Sequence, residues 1–195
     1  MRLILVRHGE TEGNIKRIMQ GQSHGRLSRN GRLQVSGLGR KLRNERIDVI
    51  YSSDLRRSVH TTRAISKFHD VPVRYLKVLR EINPGVYEGM SYDLFLSHMR
   101  ARKIRSSFRP KGGESYNDVK RRLGKFTAML GSRCRDKTVL VSTHGMVLKC
   151  LLSIYLKIPL EDVMGLHIRN AGYLILDVKG PKAKTVKDEL IIGKK

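Results

Sequence analysis

The chain has no tryptophan, two cysteines and five prolines in 195 residues. Two cysteines, Cys134 and Cys150, cannot make a disulfide framework, which excludes the small stapled secreted folds. Cys150 falls in an apolar helical stretch and reads as core. Cys134 stands between Arg133 and Arg135, charges that favour a thiolate. The sequence puts no histidine or asparagine partner near either thiol, so a cysteine nucleophile is not expected. Long hydrophobic runs are lacking too: Leu3-Ile4-Leu5-Val6 is ended at once by Arg7 and His8. A membrane span needs about 20 apolar residues, and a secretory leader needs a longer apolar core than this. A cytoplasmic protein with no membrane association is the expectation.

Acidic residues are scarce. Seventeen Asp and Glu stand against 40 Lys and Arg, a formal net charge of +23. Such a surface concentrates anionic ligands around itself. The basic residues are spread along the chain and form no block, so a solvated basic face explains them as well as a specific polyanion partner does. Nucleic acid is the less favoured partner, a phosphorylated small molecule the more favoured one. The length suits a single domain, 1–195, with its own core, and there is no internal repeat. Oligomeric state is open.

Apolar and polar periods alternate along the chain. Residues 2–6 predict a buried strand opening into a loop at Arg7-His8-Gly9. Residues 12–30 read as an irregular excursion, and Val35, Leu38 and Leu42 mark a helix from Gly31 to about Arg46, weakened by Gly37 and Gly39 unless close packing needs them. Asp48–Tyr51 is a second strand. Asp54 is a plausible N-cap for a helix with Leu55, Val59, Thr62 and Ile65 on one face. Pro72 to Leu79 predicts a third strand, and a short helix near 91–102 interrupts a long loop. Ser115, with Asp118 three residues on, opens a helix buried through Val119, Leu123, Phe126 and Leu130. A strand from Thr138 runs into His144-Gly145 and a helix carrying Leu148, Leu151, Leu152 and Tyr155. Strands at about 173–178 and 184–192 form a hairpin. This order predicts an α/β fold: a three-layer α/β/α sandwich on a mostly parallel sheet, with an antiparallel C-terminal hairpin.

In such folds ligands collect beyond the carboxyl ends of the strands. Arg7-His8-Gly9, Ser53 to Arg57, and Thr143-His144-Gly145 all fall there. A histidine with one ring nitrogen held and the other free is a nucleophile suited to phosphorus. Arginine forks match phosphoryl oxygens, and a helix N-terminus attracts them. His144 can equally be a satisfied core histidine or a zinc ligand. His24, His60, His69, His98 and His167 show no short ligand spacing on a predicted helix or hairpin, so no metal and no cofactor are expected. Arg57 sits one turn into its helix, with Arg56 pointing elsewhere. A carboxyl group must protonate the leaving oxygen and later accept a proton from water. Glu81 and Glu88 both qualify, and side-chain chemistry does not separate them.

These residues resemble the histidine phosphatase superfamily, the phosphoglycerate-mutase-like branch, over nearly the whole chain. Arg7-His8-Gly9-Glu10-Thr11 is similar to its signature, and Asn14 with Met19-Gln20-Gly21 through Leu27-Ser28 to Gly31 to its phosphate-side loop. Ser52 to Arg57 resembles its second arginine motif. Leu79 to Gly89 resembles the acid motif, an alignment that selects Arg57 and Glu81. Gly112-Gly113-Glu114-Ser115 and His144-Gly145 complete the pattern. The resemblance implies that His8 is the nucleophile, that Arg7, Arg57 and His144 form the phosphate pocket, and that Glu81 is the acid and then the base. It implies that Asn14, Gln20, Gly21 and Gly145 contact the substrate, and that a small helical cap, about 82–114, covers it. Ser58, His60 and Tyr87 depart from the family's usual alanine, glutamine and tryptophan.

The implied activity is hydrolysis of phosphate monoesters through a phosphohistidine, without metal, as in the small broad-specificity phosphatases. A cofactor-dependent phosphoglycerate mutase is the alternative, disfavoured because the family's mutases carry a larger cap. A non-enzymatic polyanion or nucleic-acid binder is the remoter one. Arg100, Arg102, Lys103 and Arg105 in the cap hint at a second anionic group on the substrate, although a solvated helix would carry the same residues.

Overall fold

The computed structural model describes residues 1–101 and 103–194. Its strands are β1 (Arg2–Arg7), β2 (Val49–Ser52), β3 (Val73–Tyr75), β4 (Thr138–Thr143), β5 (Leu166–Ile168), β6 (Tyr173–Lys179), β7 (Lys182–Asp188) and β8 (Ile191–Lys194). The main sheet has the order β3-β2-β4-β1-β6-β7. The pairs β1–β4, β4–β2 and β2–β3 are parallel, whereas β6 joins β1 antiparallel and returns as a hairpin through β7.

Both faces of the central strands are apolar because both are covered. On β1, Leu3 and Leu5 pack with Val139 and Val141 against α5 (Tyr116–Arg133) and α6 (Gly145–Leu156). Ile4 and Val6 face the opposite way, with Ile50 and Leu140, onto α2 (Arg29–Leu42) and α3 (Arg56–Ser66). This is the predicted three-layer sandwich. Three shorter helices complete the chain: α1 (Glu12–Ile15), α4 (Tyr92–Arg100) within segment 82–114, and α7 (Leu160–Met164). Among the described residues no helix is long and apolar enough to cross a membrane.

Several local expectations need correction. The 12–30 excursion contains α1, closed by a capping box between Thr11 and Asn14. Helix α2 stops at Leu42, short of Arg46. Asp54 does not cap α3; Leu55 holds that position, while the Asp54 carboxylate accepts two bonds from Arg80 at 2.7 and 2.6 Å. Val59 is only half-buried, and the inner face of α3 is polar, carrying Arg57, Ser58, Thr61 and Thr62 besides Ile65. Strand β3 covers only Val73–Tyr75 before the chain coils into a 3₁₀ turn at Lys77–Leu79. The second hairpin strand is two strands. Asp188 accepts the amides of Leu190 and Ile191 at 2.8 and 3.0 Å, turning the chain so that β8 pairs with β5. Neither β5 nor α7 was expected. The capping box of Ser115 with Asp118 and the buried face of α5 are as read.

Candidate active site

Strands β1, β2 and β4 lie side by side and parallel, so the segments after them emerge at one edge of the sheet. His8 follows β1 and is 3% exposed. Its Nδ1 lies 2.7 Å from the Gly9 carbonyl. A carbonyl only accepts, so Nδ1 carries the proton and Nε2 keeps its lone pair. Burial, with Arg57 and Arg7 nearby, holds the imidazole well below its ordinary pKa. His8 is a neutral ring with a free nitrogen. Its loop is fixed by the Gly9 amide, which donates to Thr61 Oγ1 at 3.2 Å.

His144 caps α6 after β4 and is wholly buried, its ring centroid 5.2 Å from that of His8. Arg57 Nε donates to His144 Nδ1 at 3.2 Å, and His144 Nε2 lies 2.8 Å from Ser53 Oγ. Burial, Arg57 and His8 depress the His144 pKa well below the usual value. Arg57 is 1% exposed, and its other nitrogens donate to the carbonyls of Ser23 and Gly21, both at 2.7 Å. Burial brings its pKa down to about 10, with Glu81 opposing that shift and Arg7 adding to it. Gly21 holds φ +50°, where a Cβ would stand 2.3 Å from Pro84 Cδ and 2.4 Å from Glu88 Oε2. Arg57 is thereby built into the loop after α1.

Arg7 donates to the Ile168 carbonyl, while its buried Nε has no hydrogen-bond partner. An orphaned guanidinium N–H is a donor left to be satisfied, and Arg7 lines the cavity of the site. The Glu81 carboxylate accepts the Ile82 amide at 3.0 Å and the Met146 amide, in the first turn of α6, at 3.3 Å. Glu88 is turned away, accepting the Gln22 amide at 3.0 Å. Geometry thus separates the two carboxylates that side-chain chemistry could not.

A cavity of about 570 Å³ opens here, and Arg7, His8, Arg57 and Glu81 all line it, as do Asn14, Gln20, Gly21 and Gly145. His144 sits behind it. A Cβ on Gly145 would lie 3.5 Å from Arg7 Nε. The Gln20 amide oxygen accepts from Thr11 Oγ1 at 3.0 Å. Helix α4 supplies Tyr92, Leu96, Met99 and Arg100, and the chain around β5 supplies Met164 to Ile168. Backbone bonds lock α4 to the loop, Tyr92 N to Arg17 O at 2.8 Å and Met19 N to Met90 O at 2.9 Å.

Sequence reasoning missed Asn170, which lines the cavity and donates to the His8 carbonyl and to Asn14 Oδ1, both at 3.2 Å. It also missed the hydroxyls beneath the histidines, Ser52, Ser58, Thr62 and Ser142, joined by bonds of 2.8 to 3.3 Å. A polar stripe at helical spacing on α3 was the available signal. The three departures from the family pattern lie outside the cavity lining. Ser58 bonds Ser142, and Tyr87 packs on Phe95, Phe108 and His98. Of the cap cations, Arg100 and Arg105 line the cavity, Lys103 does not, and Arg102 lies outside the described residues.

Comparison with known proteins matches residues 3–188 to the family model of the histidine phosphatase superfamily, branch 1. The adenosylcobalamin/alpha-ribazole phosphatase of Salmonella typhimurium is 29% identical, covering 91% of this chain and 91% of that protein. A Salmonella choleraesuis protein named "Probable phosphoglycerate mutase GpmB" is 30% identical over 91% of this chain and 85% of its own. Among solved structures, a mycobacterial glucosyl-3-phosphoglycerate phosphatase complexed with VO3 superposes with a TM-score of 0.84. It is 27% identical, covering 95% of this chain and 97% of that one.

Proposed function

Since the chain belongs to the histidine phosphatase superfamily, branch 1, we propose that it hydrolyses phosphate monoesters through a phosphohistidine on His8. The observation that carries this reading is the His8 tautomer. Nδ1–H is spent on the Gly9 carbonyl, and the Nε2 lone pair belongs to a neutral ring beside two arginines.

The Nε2 lone pair attacks phosphorus as the ester P–O bond breaks in line. Arg7 and Arg57, which line the cavity, neutralise the equatorial oxygens, and His144 behind it orients Arg57 through their 3.2 Å bond. Glu81 gives its proton to the leaving alkoxide. The resulting carboxylate then takes a proton from water, whose oxygen attacks phosphorus as the N–P bond breaks, releasing inorganic phosphate. Asn14, Gln20, Gly21 and Gly145 line the space the substrate fills. The protein's own donors supply the charge stabilisation, so no metal enters this scheme. Segment 82–114 acts as the cap.

The test is hydrolysis of p-nitrophenyl phosphate in EDTA, with His8→Ala alongside. Phosphate release that disappears in the variant, with an acid-labile phosphoenzyme trapped from the wild type, supports the reading. The relative named as a phosphoglycerate mutase supports a second one. Interconversion of 2- and 3-phosphoglycerate without release of phosphate would establish that instead.

A further inference from the structure

The proton donor, Glu81, stands on a segment with no regular structure of its own. Residues 81–84 belong to neither helix nor strand, so the side chain is aimed by whatever holds the backbone beneath it. The four successive carbonyls from Val78 to Glu81 each accept from a side chain. Thr143 Oγ1 donates to Leu79 O at 2.7 Å, and Gln22 Nε2 to Glu81 O at 3.2 Å. The other side-chain bonds to these carbonyls come from one residue, Arg122 on α5. Its guanidinium donates to the carbonyl of Val78, to that of Arg80 at 2.7 Å and to that of Glu81 at 3.3 Å.

Arg122 is itself fixed. Its Nε donates to Glu114 Oε1 at 2.8 Å and its Nη2 to Glu114 Oε2 at 3.3 Å. Glu114 Oε2 also accepts the Asn83 amide at 2.9 Å, and the Asn83 carbonyl accepts the Glu114 amide at 2.8 Å. One ion pair therefore grips the chain on both sides of Glu81, at Val78 and Arg80 before it and at Asn83 after it. A planar fork can serve several acceptors in fixed directions, which an ammonium cannot. Helix α5 packs on α6, and the Met146 amide in the first turn of α6 meets the Glu81 carboxylate. The layer that anchors the backbone is thus the layer that receives the side chain.

We infer that Arg122, paired with Glu114, is a positioning residue for proton transfer, holding the Glu81 carboxyl group where the leaving oxygen departs. Neither Arg122 nor Glu114 lines the cavity, so the pair acts through Glu81 alone. It gives a role to the Glu114 of Gly112-Gly113-Glu114-Ser115, which the phosphate chemistry leaves without one. This rests on the phosphatase reading, with Glu81 as the acid.

The test is the ratio of kcat/KM for p-nitrophenyl phosphate to that for phenyl phosphate. The first leaving group departs as a stable anion, whereas the second depends more on a donated proton. Both substrates are measured on one preparation, so a loss of folded enzyme cancels from the ratio. Glu81→Gln raises it by about a hundredfold, the lower end of what a general acid contributes. Arg122→Gln raises it by about tenfold, as a displaced rather than an absent acid should. Arg122→Lys, which keeps the charge without the fork, falls between wild type and Arg122→Gln. Should Arg122→Gln give no folded protein, Glu114→Gln carries the test, and a raised ratio is expected there too. A ratio unchanged in the Arg122 and Glu114 variants but raised in Glu81→Gln overturns the inference and leaves the phosphatase reading standing. A ratio unchanged in Glu81→Gln removes Glu81 as the acid, and the role of Arg122 with it. If the wild type hydrolyses neither ester, the phosphatase reading fails and this inference falls with it.

Discussion

Arg57 Nε and His144 Nδ1 face each other at 3.2 Å, an arginine donating to the lone pair of a histidine. The bond fixes the proton of a neutral His144 on Nε2, which gives it to Ser53 Oγ at 2.8 Å. Ser53 also accepts the Leu55 amide at the start of α3. Ser53→Ala leaves two buried donors unsatisfied, so stability falls by about 1–3 kcal/mol in urea titration. Because His144, which accepts from Arg57, loses the hydroxyl that fixes its ring, kcat/KM for p-nitrophenyl phosphate falls more than the loss of folded protein explains. Unchanged kinetics in Ser53→Ala would refute the orienting role.

Acid should weaken the fold through its buried histidines. His8 and His144 have folded pKa values depressed well below the ordinary one, whereas in the unfolded chain they bind protons below about 6.5. Their contribution is full above that value. It is lost as pH falls from there toward the folded pKa values, at about 1.4 kcal/mol per pH unit for each histidine. Chemical denaturation at about pH 7 and pH 5 should show the decline, and His8→Gln should reduce its slope. An equal slope in that variant would contradict the assignment.

Two glycines of α2 should respond oppositely to alanine. At Gly37 a Cβ meets nothing within 4 Å, so Gly37→Ala should stabilise by about 0.5–1 kcal/mol. At Gly39 a Cβ would lie 2.4 Å from the Ala64 carbonyl oxygen, where α2 and α3 touch. Gly39→Ala must push the helices apart and lowers Tm, whereas Gly37→Ala raises it.

The charge of +23 should register in rate as well as in solubility. If the surface field steers dianionic substrates, kcat/KM falls several-fold as ionic strength rises from about 0.02 to 0.5 M, with kcat little changed. A flat kcat/KM would return the basic surface to simple solvation.

What the sequence revealed depended on locality. Strands β1, β2 and β4 are short, largely apolar runs buried on both faces, and the histidines and arginines stand at or after their ends, so the residues that gather at the cavity were legible. Asp54 misled because its bond to Arg80 spans 26 residues, and no local rule anticipates a carboxylate taken from a helix start by a distant arginine. Asn170 was invisible for the same reason: it follows β5 and reaches His8 across 162 positions. Side-chain chemistry left Glu81 and Glu88 equal; the resemblance to the acid motif favoured Glu81, and Glu81 is the one that meets the first turn of α6.

The position of β1 carries a consequence for biosynthesis. Strand β1, which runs into His8, leaves the ribosome well ahead of its sheet neighbours β4 and β6, which begin at Thr138 and Tyr173. Until they emerge, β1 presents two edges of unpaired backbone N–H and C=O groups between two apolar faces. Loop closure over such separations is slow. A nascent chain stalled before Tyr173 should therefore recruit chaperones, and a truncation there should aggregate, although every residue of the phosphate chemistry has already been made.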